Sequence, residues 1–141
     1  MAVQAFVYVS RVAAGVDSAK VDAIVADASA FNRDADLTGV LLYDGARFLQ
    51  FLEGSEAALA SAFERIRASS SHSDIVELGR GVLGQRLFPI WTMRWIPVEA
   101  MAFGRVVMAN WQGLESAGAD RESGVSALES LVGGAPDTPR Q

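Results

Sequence analysis

Residues 36–54 read DLTGVLLYDGARFLQFLEG, which is two apolar segments separated by a short polar turn. Both segments, residues 37–43 and 48–52, are rich in side chains that suit a pleated surface. The turn between them contains Asp44 and Gly45, two residues typical of tight turns. This pattern predicts a β-hairpin.

Gln50 is a polar residue within the second apolar segment of this hairpin. Side chains alternate between the two faces of a strand, so Gln50 shares one face with Phe48 and Leu52. Its amide carries two donor hydrogens and one acceptor oxygen. Burying such a group without partners costs about 1–3 kcal/mol. We therefore expect Gln50 to have defined hydrogen-bond partners.

Composition and charge restrict the class of protein. The chain has 141 residues, 50% of them hydrophobic and 21% charged, as in an ordinary globular domain. The net charge is −5 and no basic run is present, which argues against nucleic acid and anionic membranes as partners. The lack of cysteine excludes disulfides and thiolate metal sites, and a single histidine, His72, argues against a metal centre. With no membrane-length apolar run and no signal-like N-terminus, we expect a cytoplasmic protein.

One strand and one helix are predicted before the hairpin. Residues 5–9 form a β-rich apolar run, and the period of two places Tyr8 on the same face as Phe6. Apolar residues then recur at helical spacing from 21 to 31, which predicts a first helix. Asn32 is expected to close it, because asparagine is common where a helix ends.

A second helix and two further strands are predicted after the hairpin. The helix presents one buried face and, beside it, a row that could line a groove against the first helix; these are Leu59, Phe63 and Ile66, then Ala62, Arg65 and Ser69. Residues 75–83 show partial strand alternation. Trp91, Met93 and Trp95 are expected on one face of a short last strand.

The resulting order, β-α-β-β-α-β-β, predicts an α+β fold of the ferredoxin-like type, with two helices on one face of the sheet. Two more helices are predicted from apolar residues at Phe103, Val107 and Trp111 and from residues 125–132. We expect them to shield the open face of the sheet or to join subunits. The chain thus divides into residues 1–97, a helical segment 98–134, and a disordered tail, 135–141.

Several short motifs occur in an order that resembles one known family. They are Tyr8-Val9-Ser10-Arg11, Asn32 followed by Leu37-Thr38-Gly39, Phe48-Leu49-Gln50, Leu52-Glu53-Gly54, and Phe88-x-x-Trp91-x-Met93. Together, over about residues 3 to 96, they resemble the BLUF family of flavin-binding blue-light sensors. The short members of that family, which end in two helices, also resemble this chain in length.

The resemblance implies that a flavin, usually FAD, lies between the first two helices with its ring edge near the sheet. By similarity, Tyr8 is the photochemical electron and proton donor, Gln50 bridges it to the flavin, and Asn32 hydrogen-bonds the ring. The other implied flavin contacts are Ile24 and Ile66 around the ring, Phe48 beside Gln50, and Arg65 and His72 toward the ribityl and phosphate end. Trp91 and Met93 resemble the pair that passes the signal on.

The chain departs from the family pattern at Phe31, Ser69 and Ser71, where many members have polar or charged residues. These changes remove polar contacts to the flavin's tail, so FMN and riboflavin stay open beside FAD. The resemblance implies a homo-oligomeric photoreceptor without catalytic turnover, which signals to a downstream protein partner through its last strand and C-terminal helices. From the residues alone, the same fold also suits a non-photochemical ligand-binding or oligomerisation module. A small enzyme is a poorer alternative, because no nucleophile with an evident base is present.

Overall fold

The computed structural model describes residues 3–114 and 123–133. The elements in chain order are β1 Val3–Val12, α1 Ser18–Ala35, β2 Thr38–Tyr43, β3 Arg47–Gly54, α2 Glu56–Ala68, β4 His72–Leu83, β5 Arg94–Pro97, α3 Ala100–Val107, a short 3₁₀ helix Gln112–Leu114, and α4 Gly124–Gly133. The predicted α+β order with two helices after the last strand is confirmed. The predicted tail from Ala135 lies outside the described residues.

The five strands form one sheet in the order β4-β1-β3-β2-β5. The pairs β1·β3, β1·β4 and β2·β3 are antiparallel, and β2·β5 is parallel. The predicted hairpin is confirmed as β2 and β3, which place Gln50 in the central strand. There Gln50 lies between Tyr8 of β1 and Leu41 of β2.

The two faces of the sheet carry separate apolar cores. On the face covered by α1 and α2, the core includes Phe6, Tyr8, Phe48, Leu52 and Met93. On the other face, strand residues such as Val7, Leu49 and Phe51 pack with α3 and α4 residues that include Phe103 and Leu128. The period of two along each strand produces this division. Helices α3 and α4 therefore contribute to the core on the face opposite α1 and α2.

The end of α1 was predicted wrongly. Asn32 does not close the helix, which continues for three more residues to Ala35. Asp36 ends it in the left-handed conformation, with φ 58° and ψ 45°, as is usual one residue past a helix. The backbone N–H of Leu37 donates to the Asn32 carbonyl at 2.8 Å. Asn32 is therefore an interior helix residue whose side chain is free to point at the sheet.

The spacing of Phe103, Val107 and Trp111 also predicted a longer helix than the structure contains. Helix α3 ends at Val107, so Trp111 lies beyond it. The Trp111 indole N–H donates to the Val106 carbonyl at 2.9 Å and satisfies a carbonyl at the helix end. Its ring is 3% exposed and belongs to the core under α3 and α4. None of the helices in the described ranges is long and apolar enough to cross a membrane.

Candidate functional site

A cleft opens between α1 and α2 and reaches the sheet. Its empty volume, including the open mouth, is about 770 Å³. Except for Trp91, every side chain predicted for the site lines it: Tyr8, Ile24, Asn32, Phe48, Gln50, Arg65, Ile66, His72 and Met93. The predicted groove along Ala62, Arg65 and Ser69 is confirmed as one of its walls.

Tyr8 and Gln50 form a buried hydrogen-bonded pair where the cleft meets the sheet. They lie opposite each other in the antiparallel pairing of β1 with β3, and the Tyr8 hydroxyl donates to Gln50 Oε1. Gln50 Nε2 lies 3.8 Å from Met93 Sδ. Because a thioether is only a weak acceptor, this amide can donate to a stronger acceptor in the cleft.

Tyr8 is held in its neutral form. The residue is 3% exposed, and burial raises the pKa of its phenol above the ordinary value, since the phenolate would lose its hydration. At neutral pH the hydroxyl therefore keeps its proton and acts as the donor to Gln50.

Asn32 and Ser29 connect α1 to the segment just before β5. Asn32 is 2% exposed, and its Nδ2 donates to the Thr92 carbonyl at 2.6 Å. The Ser29 and Thr92 hydroxyls hydrogen-bond to each other. The sequence analysis did not predict Ser29 as a residue near the site. The available signal was its position three residues before Asn32, which puts both side chains on one side of the helix.

His72 sits at the first position of β4, between β1 and α2. Its Nε2 is 3.0 Å from the Ile66 carbonyl, so Nε2 carries the hydrogen, and Nδ1 accepts from the Ser10 hydroxyl at 2.6 Å. Burial lowers the pKa of His72, and the bond to Ile66 opposes this shift. The neutral imidazole lies beside the rings of Tyr8 and Phe48, with centroids 5.8 and 6.0 Å away.

Arg65 and Phe31 bridge the two helices that form the cleft. The Arg65 guanidinium carbon lies 4.5 Å from the centroid of the Phe31 ring, which is a cation–π contact between α2 and α1. Both side chains line the cleft, together with Ser69 and Ser71. Beside its apolar interior, the cleft has one guanidinium and two hydroxyls that can bind an anionic group, and the Asp27 carboxylate also lines it.

Trp91 and Met93 were expected on one face of the last strand, and this prediction was wrong. Strand β5 begins at Arg94, so both residues precede it and strand alternation does not apply to them. Met93 is 3% exposed and belongs to the core under α1 and α2. Trp91 packs on the opposite core, stacked on Phe88 at a centroid distance of 5.7 Å, with the Arg94 guanidinium 4.6 Å from its ring.

The side chains of the cleft fit a flavin. A flavin ring is flat and apolar on its faces, and it has carbonyl oxygens and ring nitrogens along one edge. Ile24 and Ile66 line the cleft as apolar contacts for the faces, while the Asn32 and Gln50 amides supply donors and acceptors for the edge. Within residues 3–114 and 123–133, no cluster of side chains suits a metal ion. The fold and site thus define a ferredoxin-like domain with a cleft between two helices whose side chains suit a planar ligand.

Residues 3–94 match the family described as BLUF, sensors of blue-light using FAD. This match covers more than half of the 141 residues, and the chain belongs to the BLUF family. It is a blue-light sensor domain whose cofactor is a flavin.

Relatives of the chain include both sensors and larger proteins. It is 29% identical over 96 residues to the photoactivated adenylate cyclase subunit beta of Euglena longa, an alignment that spans 67% of the chain but only 11% of that protein. The structure of BlrB, a BLUF protein in its dark state, is 30% identical, with a TM-score of 0.65 over 68% of this chain and 73% of that one. Klebsiella pneumoniae BlrP1 with FMN and cyclic diGMP is 37% identical, with a TM-score of 0.63 over 67% and 26%.

Proposed function

We propose that this chain senses blue light through electron and proton transfer from Tyr8, followed by rearrangement of Gln50 and Met93. The observation that carries this proposal is the buried chain of contacts from the Tyr8 hydroxyl through the Gln50 amide to the Met93 sulfur, all beside the cleft. A flavin held in this cleft becomes a strong oxidant when it absorbs blue light. Tyr8 is the oxidisable side chain whose hydroxyl bonds to Gln50 there.

Tyr8 would give one electron and then its phenolic proton to a flavin bound in the cleft, and the return of both to Tyr8 would leave the Gln50 amide in a different hydrogen-bond arrangement. A neutral phenol with a raised pKa holds its proton firmly. Loss of an electron makes the phenol strongly acidic, so the proton leaves only after oxidation. Gln50 Oε1 accepts the Tyr8 hydrogen bond and lies on the path of that proton. No bond to carbon forms, and no product is released.

Gln50 converts this transfer into a structural change. Its amide oxygen and nitrogen have similar shapes but opposite hydrogen-bonding roles. Rotation of the amide places Nε2 toward Tyr8 and Oε1 toward Met93, whereas tautomerisation changes which atom donates and leaves both atoms in place. After rotation, the Met93 sulfur faces an acceptor in place of a donor. Because sulfur and oxygen lone pairs repel, Met93 moves, and the segment before β5 moves with it.

The signal leaves through the last strand. Trp91 and Arg94 flank this segment and pack on the face covered by α3 and α4. A shift at Met93 alters that packing, and a downstream protein partner or another copy of the chain in a homo-oligomer reads it as a population shift. We assign the chain the role of a cytoplasmic photoreceptor without catalytic turnover of its own.

The cofactor is FAD or a shorter flavin. Arg65 and His72 lie toward the part of the cleft where we place the ribityl and phosphate groups, with Ser69 and Ser71 beside them. One guanidinium and two neutral hydroxyls provide fewer charged contacts than a diphosphate can use. We therefore expect FMN and riboflavin to bind with affinities comparable to that of FAD.

Absorbance spectra of the purified chain test the proposal. Blue light should shift the flavin bands slightly to the red, with recovery in the dark. Tyr8→Phe and Gln50→Leu should keep the flavin and abolish the shift. Tyr43→Phe is the matched control. Like Tyr8, Tyr43 is a buried tyrosine, but its hydroxyl donates to the Val16 carbonyl and the residue does not line the cleft.

A normal photocycle in Tyr8→Phe or Gln50→Leu would contradict the assigned roles. A colourless protein that cannot be reconstituted with any flavin would favour the second candidate function, a ligand-binding or oligomerisation module. The large apolar part of the cleft is the observation that supports that alternative.

A further inference from the structure

Ser29 lies inside α1 and makes a long-range contact. The residue is 4% exposed. A serine within a helix usually faces solvent or bonds to the carbonyl four residues earlier. Here its hydroxyl bonds instead to the hydroxyl of Thr92, 63 residues away in the chain. This partly buried contact therefore joins α1 to the segment that links Trp91 to Met93.

We propose that Ser29 is a positioning residue for the light response, which holds Thr92 and thereby keeps Met93 in its dark position. This inference rests on the proposed function above. The Ser29 side chain is not among those that line the cleft, whereas Asn32 on the same helix is. Ser29 consequently acts through Thr92 and leaves the flavin's own contacts unchanged.

The contacts of residues 91–93 show what the hydroxyl pair adds. Three hydrogen bonds hold the main chain: Gly39 N–H to the Trp91 carbonyl at 2.9 Å, Trp91 N–H to the Phe88 carbonyl at 3.3 Å, and Asn32 Nδ2 to the Thr92 carbonyl at 2.6 Å. The Met93 side chain packs in the core under α1 and α2, and its sulfur lies 3.8 Å from Gln50 Nε2. The bond from Ser29 is the contact that holds the Thr92 side chain.

This arrangement makes the hydroxyl pair part of the switch. Met93 is covalently next to Thr92, so displacement of Met93 pulls on the bond between Thr92 and Ser29. We assign that bond to the dark state and its loss to the lit state. Return to the dark state then requires Ser29 to capture Thr92 again, and a chain without either hydroxyl recovers more slowly.

Single, double and control variants test the role of the hydroxyls. Ser29→Ala and Thr92→Val each remove one hydroxyl, and alanine favours a helix, so α1 is preserved. Thr92→Ser keeps the hydroxyl and removes a methyl group. Ser61→Ala is the matched control, because Ser61 is an exposed serine on α2.

We expect Ser29→Ala and Thr92→Val to bind flavin and to show the wild-type red shift, but to recover in the dark about fivefold more slowly, which corresponds to about 1 kcal/mol. The double variant should recover no more slowly than either single one, since the two hydroxyls act as a pair. Thr92→Ser and Ser61→Ala should recover at the wild-type rate. A wild-type rate in Ser29→Ala, or additive slowing in the double variant, would overturn the proposal.

Hydrogen exchange in the dark tests the same contact without any photochemistry. Backbone amides of residues 92–95 should exchange faster in Ser29→Ala than in the wild type or in Ser61→Ala. Equal exchange in all three would overturn the positioning role. If the wild-type protein itself showed no red shift, the proposed function would fail, and this exchange experiment would still decide whether Ser29 holds the segment.

Discussion

Glu53 offers a sharp test of how the segment before β5 is held. It lies on β3, is 0% exposed, and accepts three hydrogen bonds. Oε1 accepts from the backbone N–H of Leu87 at 2.7 Å, and Oε2 accepts from the N–H of Phe88 at 2.8 Å and from the Thr38 hydroxyl at 2.9 Å. Through these bonds one carboxylate holds the loop between β4 and β5 against the central hairpin.

The substitution Glu53→Gln keeps the shape of the side chain but replaces one acceptor oxygen with an NH₂ group. In either orientation of the amide, the N–H of Leu87 or of Phe88 then faces another donor. A hydrogen bond to a charged group is worth about 1.5–3 kcal/mol, and an unsatisfied buried donor costs about 1–3 kcal/mol. We therefore expect a loss of about 3 kcal/mol in the free energy of unfolding.

Urea and thermal unfolding measure this loss. For a domain of this size, about 3 kcal/mol lowers Tm by roughly 10 °C. Glu64→Gln is the matched control, because the Glu64 side chain is 76% exposed, and exposed substitutions usually change stability by less than about 0.5 kcal/mol. A loss below about 1 kcal/mol in Glu53→Gln, or one equal to the control, would refute the role given to this carboxylate.

Three further predictions concern other parts of the fold. Because burial lowers the pKa of His72 from its ordinary 6.5, the unfolded chain takes up a proton first as pH falls. The free energy of unfolding should therefore decrease as pH drops below about 6.5, and His72→Gln should remove this dependence in urea titrations. Gly39→Ala should strongly destabilise the protein in thermal melts, since its Cβ would lie 2.1 Å from a carbonyl oxygen of the paired strand. Gly84→Ala is the control and should be tolerated, because a Cβ there meets nothing within 4 Å. Ser55→Ala removes the cap of α2 and should cost about 1 kcal/mol, whereas Ser61→Ala should cost none; equal values would refute the cap.

Much of the fold was predictable because local rules govern it. Alternation along the strands correctly placed Tyr8 with Phe6 and Gln50 with Phe48 on the face that carries the cleft. The order of strands and helices followed from the hydrophobic period and from turn residues. The predicted residues of the cleft followed from the family resemblance, and they lie on β1, α1, β3, α2 and β4 and in the segment before β5. Periodicity alone would not have shown that these residues meet in one site.

Other features depended on contacts between distant parts of the chain. Trp91 and Met93 lie on opposite faces because the segment before β5 is held by hydrogen bonds from Gly39 and Asn32, and no strand pairing imposes alternation there. The extension of α1 past Asn32 depends on the left-handed conformation of Asp36, a feature that composition does not reveal.

Short-range periodicity in the amino acids was thus sufficient for the elements, their order and the face on which each strand residue lies. The partners of the buried polar groups were not predictable in this way. Ser29 meets Thr92 across 63 positions, and Glu53 reaches the N–H of Phe88 across 35. Such pairs form only when the packed elements bring them together, because a buried polar atom bonds to whichever group lies within reach after the chain has folded.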